Sequence, residues 1–433
     1  MNRIKAGVLL AVAWAVTVLL SSCGEKETGP VLSAYDYGYQ AGEADEIAFE
    51  KLGADIRGIR GDVLFFAQEA SSSVMRYFAA NLQTAEIGVI GDTPSDAAWG
   101  IGTGQPVQVG DSYYLVGPGR LKGKGVIYRF SLEKQGMTAC IAEKGVAYSD
   151  LAEQDGKLYY RARETRESHA NDPVWIGDTV VCYDPASEET TVLIEKKNEG
   201  QNPFCIGAMA AANGKIYVLA QEWKWTQADY GKWRRGWLLE VYDLSGRLVQ
   251  KVPMAEAEEG FFDKFVRDFQ VFGDYVLLGN SLEMALYRLT GDDAQLVAKS
   301  GWPYAEAEKV TPFSPAQSTV PQNDRALFCA HHFFWILDAA QEQVMILPVP
   351  GLEDGSGSYC NSVFTDGKNV VYSIYHAGLP NRFTEYRILP WDDLEHSVSQ
   401  TISLEPGKVV DLGPYSYCER VEKAEAAEPR ETP

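Results

Sequence analysis

Residues of the types most often used in catalysis are few in this chain of 433 residues, and their spacing matches none of the common catalytic motifs. No HExxH zinc motif occurs among the five histidines, which are His169, His331, His332, His376 and His396. The His331-His332 pair precedes three consecutive aromatic residues, which is more typical of a strand than of a metal site. Gly355-Ser356-Gly357-Ser358 lacks the GxSxG spacing of a hydrolase nucleophile and predicts a flexible turn. The sequence therefore predicts no metal site and nominates no catalytic residue.

The other groups that could take part in chemistry also match no specific motif. The glycine-rich segment 117–125 lacks the GxxxxGK[ST] pattern and leads into a strand, so it predicts a basic hairpin rather than a phosphate site. Six cysteines follow Cys23 without CxxC spacing, which argues against a zinc site and leaves their disulfide state open. Carboxylates are abundant, so a glycosidase-like or lyase-like pair could meet from distant segments. No cofactor is predicted.

The charge balance excludes one class of partner. Lys and Arg total 39 against 60 Asp and Glu, which gives a formal net charge of -21. Such a surface repels a phosphate backbone, so nucleic acid is not expected as a partner. Apolar residues make up 45% of the chain and aromatic residues 12%, enough for a large hydrophobic core.

The N-terminal residues predict export and a lipid anchor. Arg3 and Lys5 precede an uncharged apolar run from residue 6 to 20, which is the pattern of a signal peptide over residues 1–22 and is too short to span a membrane. Leu20-Ser21-Ser22-Cys23 resembles the lipobox of bacterial lipoproteins. The resemblance implies that Cys23 is lipidated and holds the mature protein at the extracytoplasmic face of a cell membrane. An ordinary secretory signal with a chance cysteine is the alternative. Residues 23–45 are predicted to form a tether.

One pattern recurs about every 51 residues from Gly61 to Gly367. A pair of turn residues is followed by a short apolar, aromatic-rich run, which predicts a turn that enters a strand. The seven turn pairs are Gly61-Asp62, Gly110-Asp111, Asp155-Gly156, Asn213-Gly214, Gly273-Asp274, Asn323-Asp324 and Asp366-Gly367. Each unit also contains a second strand–turn–strand pattern, of which Val180–Ile194 is the clearest example. About four strands fit each unit.

These repeats resemble those of bacterial β-propeller lipoproteins over roughly residues 50–420. The resemblance implies an all-β fold, a β-propeller of seven four-stranded blades over residues 46–420, with six or eight blades left open. A tandem of β-sandwiches is the alternative, although it would not require a repeat near 50 residues. Residues 408–418 resemble a spare strand that would complete the first or last blade, and the tail 421–433 is predicted to be disordered.

The connections between second and third strands are predicted to form the functional surface. In a four-stranded blade these connections all open on one face of the ring. Four of them are long, namely Gly117–Gly125, Arg163–Asp178, Gln221–Gly236 and His376–Thr384. These insertions are unusually aromatic and basic for this acidic chain. The predicted ligand-binding residues are Trp223, Trp225, Tyr230, Trp233, Arg234, Arg235, Trp237, Arg120 and Trp175.

Tryptophan and arginine anchor interfaces because they bring a large contact area and forked hydrogen bonds, and tryptophan faces also stack on sugar rings. The sequence therefore predicts a membrane-anchored, extracytoplasmic propeller without catalytic activity that binds a protein partner or a glycan. A carbohydrate-active or quinone-dependent enzyme, or an envelope assembly scaffold, is the alternative. Mutual packing of the tryptophans inside an extended hairpin remains open as well.

Overall fold

A computed structural model describes most of the repeat region in detail. The described residues are 31–33, 55–71, 74–81, 83, 87–94, 105–118, 125–132, 136–143, 146–167, 173–197, 204–225, 233–254, 268–279, 283–301, 325–330, 333–352, 358–376, 383–405 and 407–412. This part of the chain contains one helix, α1 (Trp391–Glu395), and 29 strands beginning with β1 (Val31–Ser33). Nowhere in these ranges is there a helix with the length and apolar character needed to cross a membrane.

The first three sheets, blades 1 to 3, each consist of four consecutive antiparallel strands. Blade 1 contains β2 (Asp55–Arg60), β3 (Val63–Ser71), β4 (Val74–Asn81) and β5 (Ile87–Pro94). Blade 2 contains β6 (Val107–Val109), β7 (Ser112–Pro118), β8 (Gly125–Phe130) and β9 (Thr138–Ile141). Blade 3 contains β10 (Val146–Gln154), β11 (Lys157–Glu167), β12 (Pro173–Asp184) and β13 (Glu189–Lys197).

Blades 4 and 5 repeat this arrangement. Blade 4 contains β14 (Phe204–Ala212), β15 (Lys215–Trp225), β16 (Trp233–Asp243) and β17 (Leu248–Pro253). Blade 5 contains β18 (Asp268–Phe272), β19 (Tyr275–Gly279), β20 (Glu283–Thr290) and β21 (Asp293–Gly301).

Blades 6 and 7 each include an outer strand from elsewhere in the chain. Blade 6 contains β22 (Arg325–Ala330), β23 (Phe333–Asp338) and β24 (Gln343–Pro348), followed at its outer edge by β28 (Gln400–Ser403). Blade 7 contains β25 (Tyr359–Thr365), β26 (Asn369–His376) and β27 (Phe383–Pro390), and β1 pairs antiparallel with β27. A strand from the N-terminal part of the chain therefore completes the last blade.

Seven apolar clusters show that the blades form a closed ring. Each cluster lies between two neighbouring blades, and one of them joins Phe66 and Phe78 of blade 1 to Val371 and Ile388 of blade 7. Seven radially packed sheets, six with four described strands and that of blade 5 with a fifth strand at its edge, define a β-propeller, which confirms the fold predicted from the repeat.

Packing between blades also explains the sequence pattern of the strands. In β15, Tyr217 and Leu219 pack towards blade 5, whereas Ile216 and Val218 pack towards blade 3. Because both faces of such a strand are buried, it is encoded as a continuous apolar run rather than as strict alternation. The turn before it is equally specific, since Asn213 and Gly214 have φ values of 54° and 68°, as a two-residue hairpin requires.

Six of the seven strands predicted to follow a turn pair begin directly after it, and β26 begins one residue later, at Asn369. In blade 6 the pair Asn323-Asp324 lies outside the described residues, and β22 is the first described strand of its sheet. Arg325 of β22 lies opposite Asp338 of β23, just as Lys215 lies opposite Asp243 in blade 4. By this register β22, β23 and β24 correspond to second, third and fourth strands, and β28 is an additional strand at the outer edge.

Two predictions about the ends of the repeat region require correction. The expected spare strand does not complete the first or last blade, because β29 (Val410–Asp411) pairs in parallel with β21 of blade 5. Its neighbours Leu404 and Leu412 are buried between blades 5 and 6, which explains why the segment follows that outer edge. In addition, the predicted tether 23–45 includes β1, which belongs to blade 7. The predicted tail 421–433 lies outside the described residues.

Candidate functional site

The long connections open on one face of the propeller, which we call the loop face. It is the face at which the second strand of each blade ends and the third begins, for example between β7 and β8 or between β26 and β27. The opposite face carries the turn pairs and is called the turn face. Because the blades share one strand order, the four insertions named above all belong to the loop face.

Two of these insertions are extensions of the strands themselves. In blade 3, β11 and β12 remain paired out to Glu167 and Pro173, and in blade 4, β15 and β16 remain paired out to Trp225 and Trp233. Both β15 and β19 start directly after their turn pair, but β15 has 11 residues and β19 has 5. At about 3.3 Å per residue, the blade 4 hairpin extends about 20 Å further than its neighbour in blade 5.

The register of the blade 4 hairpin brings the predicted tryptophans together. Trp223 lies opposite Arg235, and Trp225 lies opposite Trp233. Directly opposed residues belong to the same face of a ribbon, and that face recurs at every second position. Three tryptophans and Arg235 therefore share one face, which continues the face that packs against blade 5 at Leu219. Arg234 belongs to the other face.

Trp237 has a different environment from the other predicted contact residues. It is 5% exposed and packs in the apolar cluster between blades 4 and 5. A Cβ placed on Gly207 would lie 2.5 Å from Cζ3 of its ring, so glycine at that position makes room for the indole. The Trp237 side chain is thus part of the core and lies below the extended part of the hairpin.

Of the remaining predicted site residues, only Trp175 lies in a part of the chain that the structure describes. Trp175 lies in β12 opposite Thr165, on the blade 3 hairpin. Tyr230, Arg120 and the proposed lipidation site Cys23 lie outside the described residues, as do His331 and His332. Within the described ranges, no group of three or more His, Cys, Asp and Glu side chains is arranged to hold a metal ion.

A buried ionic network that the sequence did not predict fixes the blade 3 hairpin to blade 4. The Arg163 guanidinium donates from Nε to Oδ1 of buried Asp178 at 2.7 Å. Oδ2 of Asp178 accepts a hydrogen bond at 2.9 Å from the backbone N–H of Ile206, and Arg163 donates to the Ile206 carbonyl at 3.2 Å. Since Ile206 lies in the first strand of blade 4, the pair aligns one blade on the next at the base of both extended hairpins.

A second ion pair lies next to this network. Asp150, at a φ of 55° in a bulge of β10, lies with Oδ2 3.0 Å from Nε of Arg161. Nη1 of Arg161 donates to the carbonyls of Ile206 and Gly207 at 2.5 Å each. Burial raises the pKa of Asp150, although Arg161 opposes that shift. Arg161 and Arg163 thus both donate hydrogen bonds to backbone carbonyls of blade 4, which gives the network a structural role.

Another group of polar side chains lies at the loop face of blade 7. Ser358 Oγ is 3.0 Å from Nδ1 of His376, and Nε2 of the same ring is 2.8 Å from Oε2 of Glu385. Arg387 donates from Nε to Oε1 of Glu385 at 2.6 Å. The sequence pattern predicts a turn at Ser358 and the start of an insertion at His376. Strand register alone, which no motif reports, brings the three together.

The fold and these sites place the chain in the class of seven-bladed β-propellers, and no narrower assignment follows from comparison with known proteins. No protein-family description matches the chain, and no curated protein matches it in sequence. Solved structures with a similar fold include the β-propeller domain of the Trilobed protease from Pyrococcus furiosus (14% identity, TM-score 0.46, covering 77% of this chain and 92% of that one).

Two further structures of similar fold carry other activities. One is an oligogalacturonate lyase in complex with manganese (9% identity, TM-score 0.45, covering 80% of this chain and 89% of that one). The other is an acylaminoacyl peptidase in complex with Z-Gly-Gly-Phe-chloromethyl ketone (12% identity, TM-score 0.49, covering 86% of this chain). The match spans about half of the peptidase, 54% of its chain. At these identities the similarity concerns the fold alone.

Proposed function

We propose that this protein is a lipid-anchored, extracytoplasmic propeller that binds a protein partner or a glycan at its loop face. The observation that carries the proposal is the register of the blade 4 hairpin, which assigns Trp223, Trp225, Trp233 and Arg235 to one face of a ribbon. This ribbon extends about 20 Å further than the hairpin of blade 5. We infer that the part of this hairpin beyond the length of the blade 5 hairpin is where a glycan chain or a protein binds.

The chemistry of that face suits both ligand classes. Indole rings offer large, rigid contact areas with few rotamers, so they lose little conformational entropy on binding. Arg235 adds a planar fork of donors that matches carboxylate groups on an acidic peptide or an acidic sugar. The surrounding acidic chain would repel anions elsewhere, so such ligands would be directed to this face.

The direction of β1 orients the proposed membrane anchor. β1 runs antiparallel to β27, with Val31 opposite Arg387 and Ser33 opposite Glu385, so it runs from the turn face towards the loop face. Val31 therefore lies at the end of β1 that is nearer the turn face. Only seven residues lie between Cys23 and Val31, so the two residues are at most about 29 Å apart. In the proposed arrangement the turn face is directed towards the membrane and the loop face away from it.

The proposed anchor has a direct test. In a bacterial expression host the full chain should be cleaved before Cys23 and carry acyl chains on that residue, since the lipobox-like sequence ends there. Replacing Cys23 by alanine should move the protein from the membrane fraction to the soluble fraction. Mass spectrometry of the N-terminal peptide, with Cys140→Ala as a matched control, measures the modification. An unmodified Cys23 peptide in the membrane-associated protein would refute the anchor.

The binding surface can be tested with one triple variant. Replacing Trp223, Trp225 and Trp233 by alanine should weaken binding at least 100-fold, since a buried tryptophan anchor is typically worth 2 kcal/mol or more. The free energy of unfolding should change by less than about 1 kcal/mol, as is usual for surface substitutions. A glycan array, followed by calorimetry with the best glycan, gives the affinity. A pull-down from envelope extract, repeated with the purified partner, tests the protein alternative.

The matched control lies on the same hairpin. Lys224 and Arg234 oppose each other on the other face of the ribbon, so Lys224→Ala with Arg234→Ala should leave binding within about threefold of wild type. If this double variant loses binding while the tryptophan variant keeps it, the wrong face has been assigned. A triple variant that unfolds much more easily than wild type would instead show that the tryptophans pack against one another.

A further inference from the structure

We propose that Ser358, His376 and Glu385 form a hydrolytic site for esters of short carboxylic acids, with Ser358 as the nucleophile. The proposal does not depend on ligand binding by the blade 4 hairpin. It rests on the hydrogen-bonded chain from the serine hydroxyl through the imidazole to the carboxylate. The three residues lie on three adjoining elements of blade 7, so their arrangement is held by the sheet.

The partners of His376 determine which of its nitrogens carries the proton. An ionised carboxylate only accepts hydrogen bonds, so Nε2, at 2.8 Å from Glu385, must carry the hydrogen. In the neutral ring, Nδ1 is then an acceptor, and it lies 3.0 Å from the hydroxyl of Ser358. The imidazole is therefore poised to take the serine proton. This use of Nδ1 as the base reverses the ring orientation of the common serine protease triad.

Glu385 is itself held in place from its other side. Arg387 donates to Oε1 of Glu385 at 2.6 Å, which leaves Oε2 for the histidine. The Arg387 guanidinium lies so close over Gly351 that a Cβ at that position would overlap it. Gly351, in the segment between blades 6 and 7, thus permits the arginine to reach the carboxylate. Arg387 and Glu385 act as positioning residues for His376.

The strand register explains why these side chains meet. Tyr359 lies opposite Tyr375, so Ser358 precedes β25 at the level of His376, the last residue of β26. On the other side of β26, Glu385 lies opposite Ile374, two residues from His376 and therefore on the same face. A site built from strand ends in a rigid sheet keeps its geometry better than one built from loops alone.

The reaction balances without any cofactor. The hydroxyl oxygen of Ser358 attacks the acyl carbon while its proton moves to Nδ1 of His376. That proton then passes to the alcohol oxygen as the ester C–O bond breaks, which leaves Ser358 acylated. A water molecule, deprotonated by Nδ1 in turn, attacks the acyl carbon, and the serine recovers its proton as the free acid leaves. The sum is ester plus water giving acid plus alcohol.

The low exposure of Ser358 leads us to limit the proposed substrates to esters of small acyl groups. Ser358 is 2% exposed, whereas the His376 and Glu385 side chains are 17% and 16% exposed. A buried hydroxyl is harder to reach for a long acyl chain than for an acetyl group, which has only three heavy atoms. We therefore expect acetyl esters to react, and p-nitrophenyl acetate to be hydrolysed much faster than p-nitrophenyl octanoate.

The test compares Ser358 with a second serine of the same sheet. Ser362 forms a hydrogen bond with Ser373 at 2.7 Å and has no part in the proposed site, so Ser362→Ala is the matched control. With purified full chain, Ser358→Ala should lower the rate of p-nitrophenyl acetate hydrolysis at least 100-fold, whereas Ser362→Ala should leave it unchanged. In reactions with p-nitrophenyl acetate that are stopped by acid, peptide mass spectrometry should find an acetyl label on Ser358.

The positioning role of Glu385 has its own readout. Glu385→Gln should lower kcat at least tenfold with little change in KM, because the ring loses its anionic acceptor but the acyl group binds as before. Absence of hydrolysis by wild type, absence of label on Ser358, or an equal effect of the two serine variants would each overturn the proposal. The tryptophan triple variant should hydrolyse the acetate ester at the wild-type rate, so failure of the binding proposal would be recognised separately.

Discussion

Replacing Trp237 by alanine should lower the free energy of unfolding by about 3–5 kcal/mol, the usual cost of removing a large buried aromatic side chain. The ring is 5% exposed and packs with Leu239 and Ala285 in the cluster that joins blades 4 and 5. Its removal would leave a cavity that both blades line, and a strand pair cannot close such a gap without moving one blade against the other. Urea denaturation followed by tryptophan fluorescence and circular dichroism measures the loss.

A double-mutant cycle with Gly207 shows whether the ring fills the space we describe. Gly207→Ala should be destabilising in the wild-type background, because its Cβ would lie 2.5 Å from the indole. The same substitution should cost much less, or nothing, in the Trp237→Ala background, where the ring is absent. Equal costs in the two backgrounds would show that the two residues do not interact. A stable Trp237→Ala variant with impaired ligand binding would instead show that Trp237 contacts the ligand.

The architecture was predictable because its signals are local. Each turn pair and the apolar run after it lie within about six residues, and a hairpin turn such as Asn213-Gly214 has few alternative sequences. The strands that the repeat pattern did not assign to their blades are those recruited over long distances. β1 and β29 are only 3 and 2 residues long, and their pairing partners lie far away in the chain. Such short segments carry no periodicity that could reveal their blade.

The candidate sites were predictable to a smaller extent. Composition alone identifies the aromatic and basic insertion of blade 4, but strand register is needed to separate Arg235, on the tryptophan face, from Arg234, on the other face. Trp237 lies only two residues beyond Arg235 and belongs to the same face, yet its ring is buried in the apolar cluster that blade 4 shares with blade 5. The sequence of one strand does not show which of its residues a neighbouring blade will cover.

The group in blade 7 escaped prediction for a related reason. Ser358, His376 and Glu385 are separated by 17 and 8 residues, which are set by the lengths of strands and hairpins rather than by the chemistry of the group. A nucleophile elbow has a fixed local sequence because one turn creates it. A site assembled from the ends of adjoining strands has no such signature. The contact between blades 3 and 4 at Asp178 is hidden from sequence in the same way.

An ion pair between charged side chains also joins blades 3 and 4, further out along the same interface. Glu240 of β16 is fully buried, with Oε2 2.8 Å from Nζ of Lys196 in β13 and Oε1 3.0 Å from Nζ of Lys251 in β17. Tyr242 donates its hydroxyl hydrogen to Oε2 at 2.5 Å. Burial by itself would raise the pKa of Glu240, but Lys196, Tyr242 and Lys251 outweigh it and hold the pKa below the usual 4.5.

Glu240→Gln should therefore lower the free energy of unfolding at pH 7.5 by about 3 kcal/mol, since it leaves two lysines without their buried counter-ion. Lys251 is 51% exposed and hence screened by water, so most of the loss arises from Lys196. A carboxyl whose pKa is lower in the folded than in the unfolded state stabilises the fold above pH 4.5, and that contribution is lost as the pH falls through the lower, folded value. The difference between wild type and Glu240→Gln should thus shrink below pH 4.5.

Urea denaturation of both proteins between pH 7.5 and pH 3.5 measures that difference directly. The control is Glu195→Gln, which removes a carboxylate 3.3 Å from Lys197 in an exposed pair on the neighbouring strand. Its side chain is 55% exposed, so the cost should stay below about 1 kcal/mol at every pH. A difference between wild type and Glu240→Gln that stays constant or grows as the solution is acidified would contradict the assignment. In that case the carboxylate would not be the group that holds blade 3 to blade 4.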